Sequence, residues 1–367
     1  MKDSTPAKEL LLIFFFIFVL VTFFVFSHNK GVEKYERATY VTSAQEGSTT
    51  GQVIKEAPKI LDVALYDQKM KQLANNPIVA VSTSSATSTP PKKTLWPVKT
   101  VYPNYGALLP FNRIVAYYGN YYSKQMGVLG EYEEDVMLEK LRAEVKKWEL
   151  ADPSTPVIPA IHYIATTAQL LPGKEKNYML RMPDSQIDKS IELAKKVNGI
   201  VFLDIQVGHA VPLNEARLLE NYLKLPQVHL GIDPEFSMKN GDKPGTVVGT
   251  IDAGEINQVA QMLAKIVRDN NLPPKILIIH RFTQKMVTNY QNIHPLPEVQ
   301  IVIEMDGWGS QDLKKQTYKT VIYREPVQFS GFKLFYKNDL RGGASSTLFT
   351  PDKLLQLRPI PSYIQYQ

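Results

Sequence analysis

The sequence predicts an α/β fold, a (β/α)8 barrel of the TIM type, and three observations lead to it. From about residue 111 onward, apolar runs of strand length alternate with stretches that carry apolar residues at helical spacing. Eight such runs fit within about 230 residues, an ordinary length for eight βα units, and the alternation favours a parallel sheet. Three runs, Gly199–Asp204, Val228–Glu235 and Val299–Asp306, stop on carboxylates. The C-terminal ends of strands in βα folds are where active sites are built, and acids are otherwise depleted from strands.

The expected strands are Ile114–Asn120, Val157–Ala165, Ile200–Val207, Val228–Phe236, Val247–Ile251, Ile276–Phe282, Val299–Asp306 and Gln328–Tyr336. The expected helices are Glu134–Leu150, Asp184–Val197, Leu213–Leu225, Ala253–Asn270, Thr283–Tyr290 and Gln311–Val321. In the first of these, Val136, Leu138, Leu141, Val145 and Trp148 recur every three to four residues, which builds one apolar face. No clear helix separates the fourth and fifth strands, where Asn240-Gly241-Asp242 has turn chemistry. A seven-stranded or irregular barrel is therefore the first alternative, and an open doubly wound sheet the second. Neither GxGxxG nor GxxxxGK occurs, so no nucleotide cofactor is expected.

Side chains alternate across a strand with period two. Val228, Leu230 and Ile232 form an apolar outer face, leaving His229, Gly231, Asp233 and Glu235 for the interior. Val201, Leu203 and Ile205 likewise leave Phe202, Asp204 and Gln206. Ile301, Ile303 and Met305 leave Val302, Glu304 and Asp306. All three acid-bearing strands thus turn their acids inward. His162 shares a face with Ala160, and His280 with Ile276 and Ile278.

Paired carboxylates divide labour as acid and base when their surroundings push their pKa values apart. Asp233 or Glu235 is the expected proton donor and Glu304 or Asp306 the expected nucleophile or base, with Asp204 orienting them. His162, Gln206 and His280 would line the same mouth. Trp308, between Gly307 and Gly309, would stack on a sugar face or simply pack over the rim. Tyr118 belongs to a crowd with Tyr117, Tyr121 and Tyr122 at the end of the first strand, where these rings line a groove or cover the mouth. Lys333 would bind an anionic group or lie solvated. His162, Asp204, Asp233, Glu235 and His280 also form an oxygen and nitrogen ligand set. No HExxH, HxH or DxDxD spacing ties any two of them to an ion, so no metal is assigned.

The 367 residues contain no cysteine, which excludes disulfides, thiolate catalysis and Cys-ligated zinc. Residues 1–9 read as a short tail and 10–27 as a transmembrane signal anchor, since Leu10–Phe26 is apolar on every face save Thr22. A cleaved signal peptide is the alternative. Residues 28–100 read as a largely disordered stalk: seven of the eight residues Ser82–Thr89 are Ser or Thr, and Pro90-Pro91 follows. A short amphipathic helix carrying Ile60, Leu61, Ala64 and Leu65 is possible within it. Residues 101–367 form the barrel. Of the net charge of +6, residues 1–100 carry +4, from 12 Lys/Arg against 8 Asp/Glu. The barrel is nearly balanced, which argues against a nucleic-acid partner.

Five segments carry a resemblance: Tyr118–Asn120 with Ser123–Gly127, Ile232–Met238, His280–Gln284, Met305–Gly309 and Gly331–Asp339. They resemble a family of exported bacterial (β/α)-barrel-like proteins, over roughly residues 111–340. The resemblance implies export and a shared core; it transfers no catalytic role. Similarity to glycoside hydrolases is one of architecture. The expectation is a membrane-anchored, extracytoplasmic hydrolase, glycosidase-like, acting on carbohydrate or a cell-envelope polymer. The alternatives are a metal-dependent hydrolase using the same face and a non-catalytic glycan-binding envelope protein.

Overall fold

Eight parallel strands close on themselves among the residues described by the computed structural model, which are 60–77, 94–341 and 346–367. The barrel strands are β1 Arg113–Gly119, β2 Val157–Ala168, β3 Ile200–Ile205, β4 Val228–Ile232, β5 Lys275–Arg281, β6 Val299–Met305, β7 Phe329–Leu334 and β8 Tyr363–Tyr366. Each pairs with the next, and β8 returns to β1 with Ile114 opposite Tyr363 and Tyr117 opposite Tyr366. Closure leaves no exposed sheet edge among these eight. One short strand, Met179–Arg181, adds antiparallel to the end of β2. The fold is thus a TIM-type α/β barrel, built within a unit spanning Leu61–Gln367.

The count of eight is the expected one, but its membership differs. The run Val247–Ile251 is not a barrel strand. Val247 and Val248 are 41% and 43% exposed; Val247 makes only an isolated bridge to Pro244, and Ile251–Asp252 pairs outside the barrel with Val287–Thr288. The place in the ring belongs to Tyr363–Tyr366, too short for its alternation to stand out. Thr283–Tyr290 is likewise no α-helix; it holds the 3₁₀ turn Gln284–Met286 and then the short strand Val287–Thr288, with a second 3₁₀ turn, Tyr290–Asn292, starting at its end.

The strands are buried on both faces, as a ring of parallel strands under helices requires. Helix Ala253–Asp269 shows how the outer layer is specified. Asp252 and Glu255 form a reciprocal capping box, and Ile256, Val259, Ala260, Leu263, Ala264 and Val267 make a continuous buried stripe. Inside the ring, Ile114, Ala116, Ala160, Ile200, Phe202, Ile276, Ile278, Val302 and Phe329 form a separate apolar core. These residues sit at the N-terminal part of the strands. The charged groups of the candidate site lie further along, toward the C-terminal ends.

The floor of this inner core is closed by helix Val63–Ala74, which falls within the segment expected as stalk. Asp62 caps its N-terminus by accepting from the Leu65 amide. Its buried face is Tyr66, Met70 and Ala74, whereas Ile60 and Leu65 are 78% and 39% exposed. Gln300, fully buried, ties the floor to β6 by exchanging hydrogen bonds with the Leu109 amide and carbonyl at 3.1 and 2.6 Å. The Leu10–Phe26 run and the Ser82–Thr89 run lie outside the described residues. Among the described residues, no helix is long and apolar enough to cross a membrane.

If Val63–Ala74 is part of the barrel rather than of a tether, Met70→Ala opens a cavity in the floor. We expect it to cost about 2–4 kcal/mol in denaturant unfolding, against less than about 0.5 kcal/mol for the exposed Leu65→Ala.

Candidate active site at the barrel mouth

Period-two alternation places the expected groups on one interior layer. Tyr118 from β1, His162 from β2, Asp204 from β3, His280 from β5, Glu304 from β6 and Lys333 from β7 all point inward and are buried. Gln206, Asp233 and Asp306 follow immediately after β3, β4 and β6 and join them. Tyr118 donates to Asp204 Oδ2 at 2.9 Å, and Gln206 Nε2 approaches Asp233 Oδ2 at 3.3 Å. His280 Nδ1 lies 2.9 Å from Asp306 Oδ2 and 3.0 Å from Glu304 Oε2. Lys333 Nζ bonds both oxygens of Asp306, at 3.0 and 3.1 Å, and sits 4.0 Å above the Tyr118 ring. Lys333 is therefore neither solvated nor lone; it is a buried counter-ion.

Two glycines make room for this layer. Gly231 on β4 is in register with Asp204 on β3, and Gly331 on β7 with Glu304 on β6. A Cβ on Gly231 would fall 2.4 Å from Asp204 Oδ1 and 2.6 Å from His162 Nε2. A Cβ on Gly331 would press on Glu304 Cβ and Tyr363 Cδ1, both at 3.1 Å. Each acid thus occupies the space its neighbour's missing side chain leaves.

Glu235 departs from the expected geometry. β4 ends at Ile232, and Pro234–Phe236 is a 3₁₀ turn capped by Asp233, whose Oδ1 accepts from the Glu235 amide at 3.1 Å. Asp233 and Glu235 are therefore not two positions along one strand. Glu235 is half-buried where Asp204 and Glu304 are fully enclosed. Trp308 sits half-buried in the turn after β6. Of the tyrosine crowd, only Tyr118 enters the layer. Tyr117 packs outward beside Tyr336 and Tyr366, Tyr121 stacks on Tyr163, and Tyr122 is exposed.

The charges sort by their neighbours. Burial would raise Asp204, but His280 and His162 hold it well below the usual carboxylate range. Burial opposes a charge on His280, yet Asp204 and Glu304 push its pKa well above that of free histidine. Burial also opposes ionisation of Asp306, and Lys333 and His280 overcome it. Asp233 goes the other way: burial first, then Asp306 and Asp204, raise it to about 7 against the pull of His280 and Lys333. Glu304 is raised by burial, and Glu235 well raised by desolvation followed by Asp233 and Asp306. His162 is lowered to about 4, chiefly by burial. Ionised and neutral carboxyl groups thus stand side by side, the condition for division of acid and base roles.

The nearby arginines take no part. Arg113 pairs with Asp152, Arg181 with Glu175 and Glu215, and Arg281 with Glu325. Two contributors escaped the sequence reading, Tyr363 and Gln365 of β8. Tyr363 Oη lies 2.6 Å and Gln365 Nε2 2.9 Å from His162 Nδ1. Their signal was the alternation in Tyr363-Ile364-Gln365-Tyr366, four residues long.

No family model and no curated protein matches the chain. Solved structures that resemble it do so distantly. A GH5 xyloglucan-specific endo-β-1,4-glucanase from a metagenomic library, in complex with cellotriose, is 12% identical over 62% of this chain and 77% of its own, with a TM-score of 0.33. The mannanase man26 of Bacillus subtilis is 12% identical over 70% of this chain and 80% of its own, with a TM-score of 0.34. HPPK-DHPS of Plasmodium falciparum, with pteroate, is 10% identical over 70% of this chain and 44% of its own, with a TM-score of 0.33. At such TM-scores the likeness decides nothing about this chain's chemistry. The barrel is established by its own strand pairing.

Removing Lys333 would leave Asp306 buried with only His280 to balance it. Lys333→Met is expected to cost about 3 kcal/mol in denaturant unfolding, and the double change with Asp306→Leu to recover part of that loss. Equal stability of Lys333→Met and the parent would show that the pair carries no weight.

Proposed function

We propose that this chain is a carboxylate-dependent hydrolase of carbohydrate or of a cell-envelope polymer. In this reading Glu235 protonates the leaving group, and the Asp306 carboxylate acts as base or nucleophile. One observation carries it: acids from three strands share one mouth, and among them Glu235 alone is half-buried while the others are buried. A proton donor must reach the substrate, and it must hold its proton near neutral pH. Glu235 meets the first condition by its turn and the second through desolvation and the adjacent acids. Asp306 is the complementary group. It is ion-paired to Lys333 and accepts from His280, so its negative charge is maintained beside a neutral acid. Glu304 and Asp204 lie too deep to touch a polymer. They serve the site through His280, which both approach.

Trp308 in the turn after β6 would supply a stacking surface for a sugar ring at the rim. The non-catalytic alternative has less behind it at Glu235, for which no salt bridge is seen among the described residues, whereas Asp306 is paired with Lys333. We expect Glu235→Gln to lower turnover of a hydrolysed polysaccharide by about 10²–10⁴-fold with an unchanged circular dichroism spectrum. Parent-like turnover in that variant would remove Glu235 as the acid. Failure of the parent chain to cleave any member of a broad panel of cell-wall and storage polysaccharides would remove the glycan reading.

The same proposal puts the barrel outside the membrane that Leu10–Phe26 enters, with the short, lysine-bearing tail before it on the cytoplasmic side. Full-length chain should sediment with membranes, resist carbonate extraction, and be digested by protease added to spheroplasts. Recovery in the soluble cytoplasmic fraction would contradict this placement.

A further inference from the structure

We infer that His162, Asp204 and His280 bind one divalent transition-metal ion inside the barrel, beneath the mouth. One ligand atom from each of the three lies within 4.8 Å of the other two, and all three residues are fully buried. Asp204 Oδ1 stands 3.4 Å from His162 Nε2 and 3.5 Å from His280 Nε2. A tetrahedral ion with bonds of about 2.0–2.2 Å holds its donors roughly 3.3–3.6 Å apart. Both measured edges match that spacing, and both are long for a hydrogen bond between nitrogen and a charged oxygen.

The stronger observation is which atoms lack partners. His162 Nε2, Asp204 Oδ1 and His280 Nε2 are each buried with no hydrogen-bond partner, and these are the three atoms that face one another. A buried polar atom left unpaired costs about 1–3 kcal/mol, and more when charged. Three of them within 4.8 Å of one another have the composition and spacing of a coordination set.

The opposite atom of each residue is held. Asp204 Oδ2 accepts from Tyr118 at 2.9 Å. His280 Nδ1 lies 2.9 Å from Asp306 Oδ2, so its Nδ1–H donates to the carboxylate, and the proton that the charged ring carries on Nε2 must leave for that atom to bind the ion. His162 Nδ1 is 2.6 Å from the Tyr363 hydroxyl, a pair in which either atom can donate; in the Nδ1–H tautomer the hydroxyl accepts and Nε2 keeps its lone pair. Gln365 Oε1 is itself without a partner while Nε2 faces Nδ1 at 2.9 Å. Gln365 Nε2 also donates to the Tyr363 hydroxyl at 3.0 Å; turning the amide over replaces that bond by one from the hydroxyl to Oε1 and gives Nδ1–H a second acceptor. With both imidazoles in the Nδ1–H tautomer, all three outer partners orient the inner atoms as ligands.

Gly231 completes the cradle. Its Cβ position would lie 2.4 Å from Asp204 Oδ1 and 2.6 Å from His162 Nε2, so any side chain there would crowd the space between these donors. Two nitrogens and one oxygen suit zinc, and also cobalt or iron in the same oxidation state. A tetrahedral ion would take its fourth ligand from water. Any proton carried by the imidazoles is released to solvent on binding. This assignment goes beyond the acid–base proposal and does not rest on it.

The test uses full-length chain without a histidine tag, solubilised in detergent, stripped with chelator and titrated with Co²⁺ and with Zn²⁺. One equivalent of Co²⁺ should bind and give the intense visible bands of a low-coordinate ion, and Zn²⁺ should displace it. X-ray absorption of the zinc-loaded chain should count two imidazole ligands. Asp204→Asn, His280→Gln and Gly231→Ala should each weaken binding at least tenfold, and Tyr363→Phe by about tenfold. Gly231→Ala is the discriminating variant, because it removes no ligand and only fills the space. Failure of the parent chain to take up either ion stoichiometrically would overturn the assignment whatever the variants do. So would parent-like affinity in both His280→Gln and Gly231→Ala, or an all-oxygen coordination shell.

Discussion

The constraint on which this molecule depends is the burial of four carboxylates, Asp204, Asp233, Glu304 and Asp306, within one cross-section of a closed barrel. An uncompensated charge in such a place costs several kcal/mol, so each acid must be paired, protonated or coordinated. Lys333 and His280 provide the pairing. Lys333 holds Asp306, and His280 lies between Asp204 on one edge of its ring and Glu304 and Asp306 on the other. The strands that carry these groups are fixed relative to one another by the ladder, and the charges reinforce the register that the ladder sets.

That arrangement divides the barrel interior into two levels with different physics. The lower level is apolar and is closed by Tyr66 and Met70 from the helix below. It supplies the stabilisation that the upper level spends. The upper level stores charge, and its low polarisability keeps neutral and ionised acids distinct at short range. Glycines at 231 and 331 are the price of admission for side chains at that level, since neighbouring strands leave no other space.

Much of this was legible in the chain. Apolar residues two apart on β3, β4 and β6 identify the outer face, and the acids between them therefore had to point inward. Asp204, Asp233, Glu304 and Asp306 do so, as do His162 and His280, which share their faces with Ala160, Ile276 and Ile278. Two errors have a common cause. Val247–Ile251 looked like a strand because it is β-branched and apolar, and Tyr363–Tyr366 did not because it is short and ends the chain. Strand propensity measures fit to a half-buried surface, and only the ring decides which segments have one. Glu235 shows a third limit: Pro234 and the Asp233 cap turned the backbone before the alternation could reach it.

Local sequence by itself determined which way side chains face and that a row of acids would converge. It could not determine depth or partnership. That Lys333 is a buried counter-ion, that Tyr363 and Gln365 hold His162, and that three ligand atoms meet opposite Gly231 all depend on contacts between strands far apart in the chain. Periodicity is set by bonds along the backbone and can be read from one segment. Proximity across a closed sheet is set by registers and shear that no single segment contains.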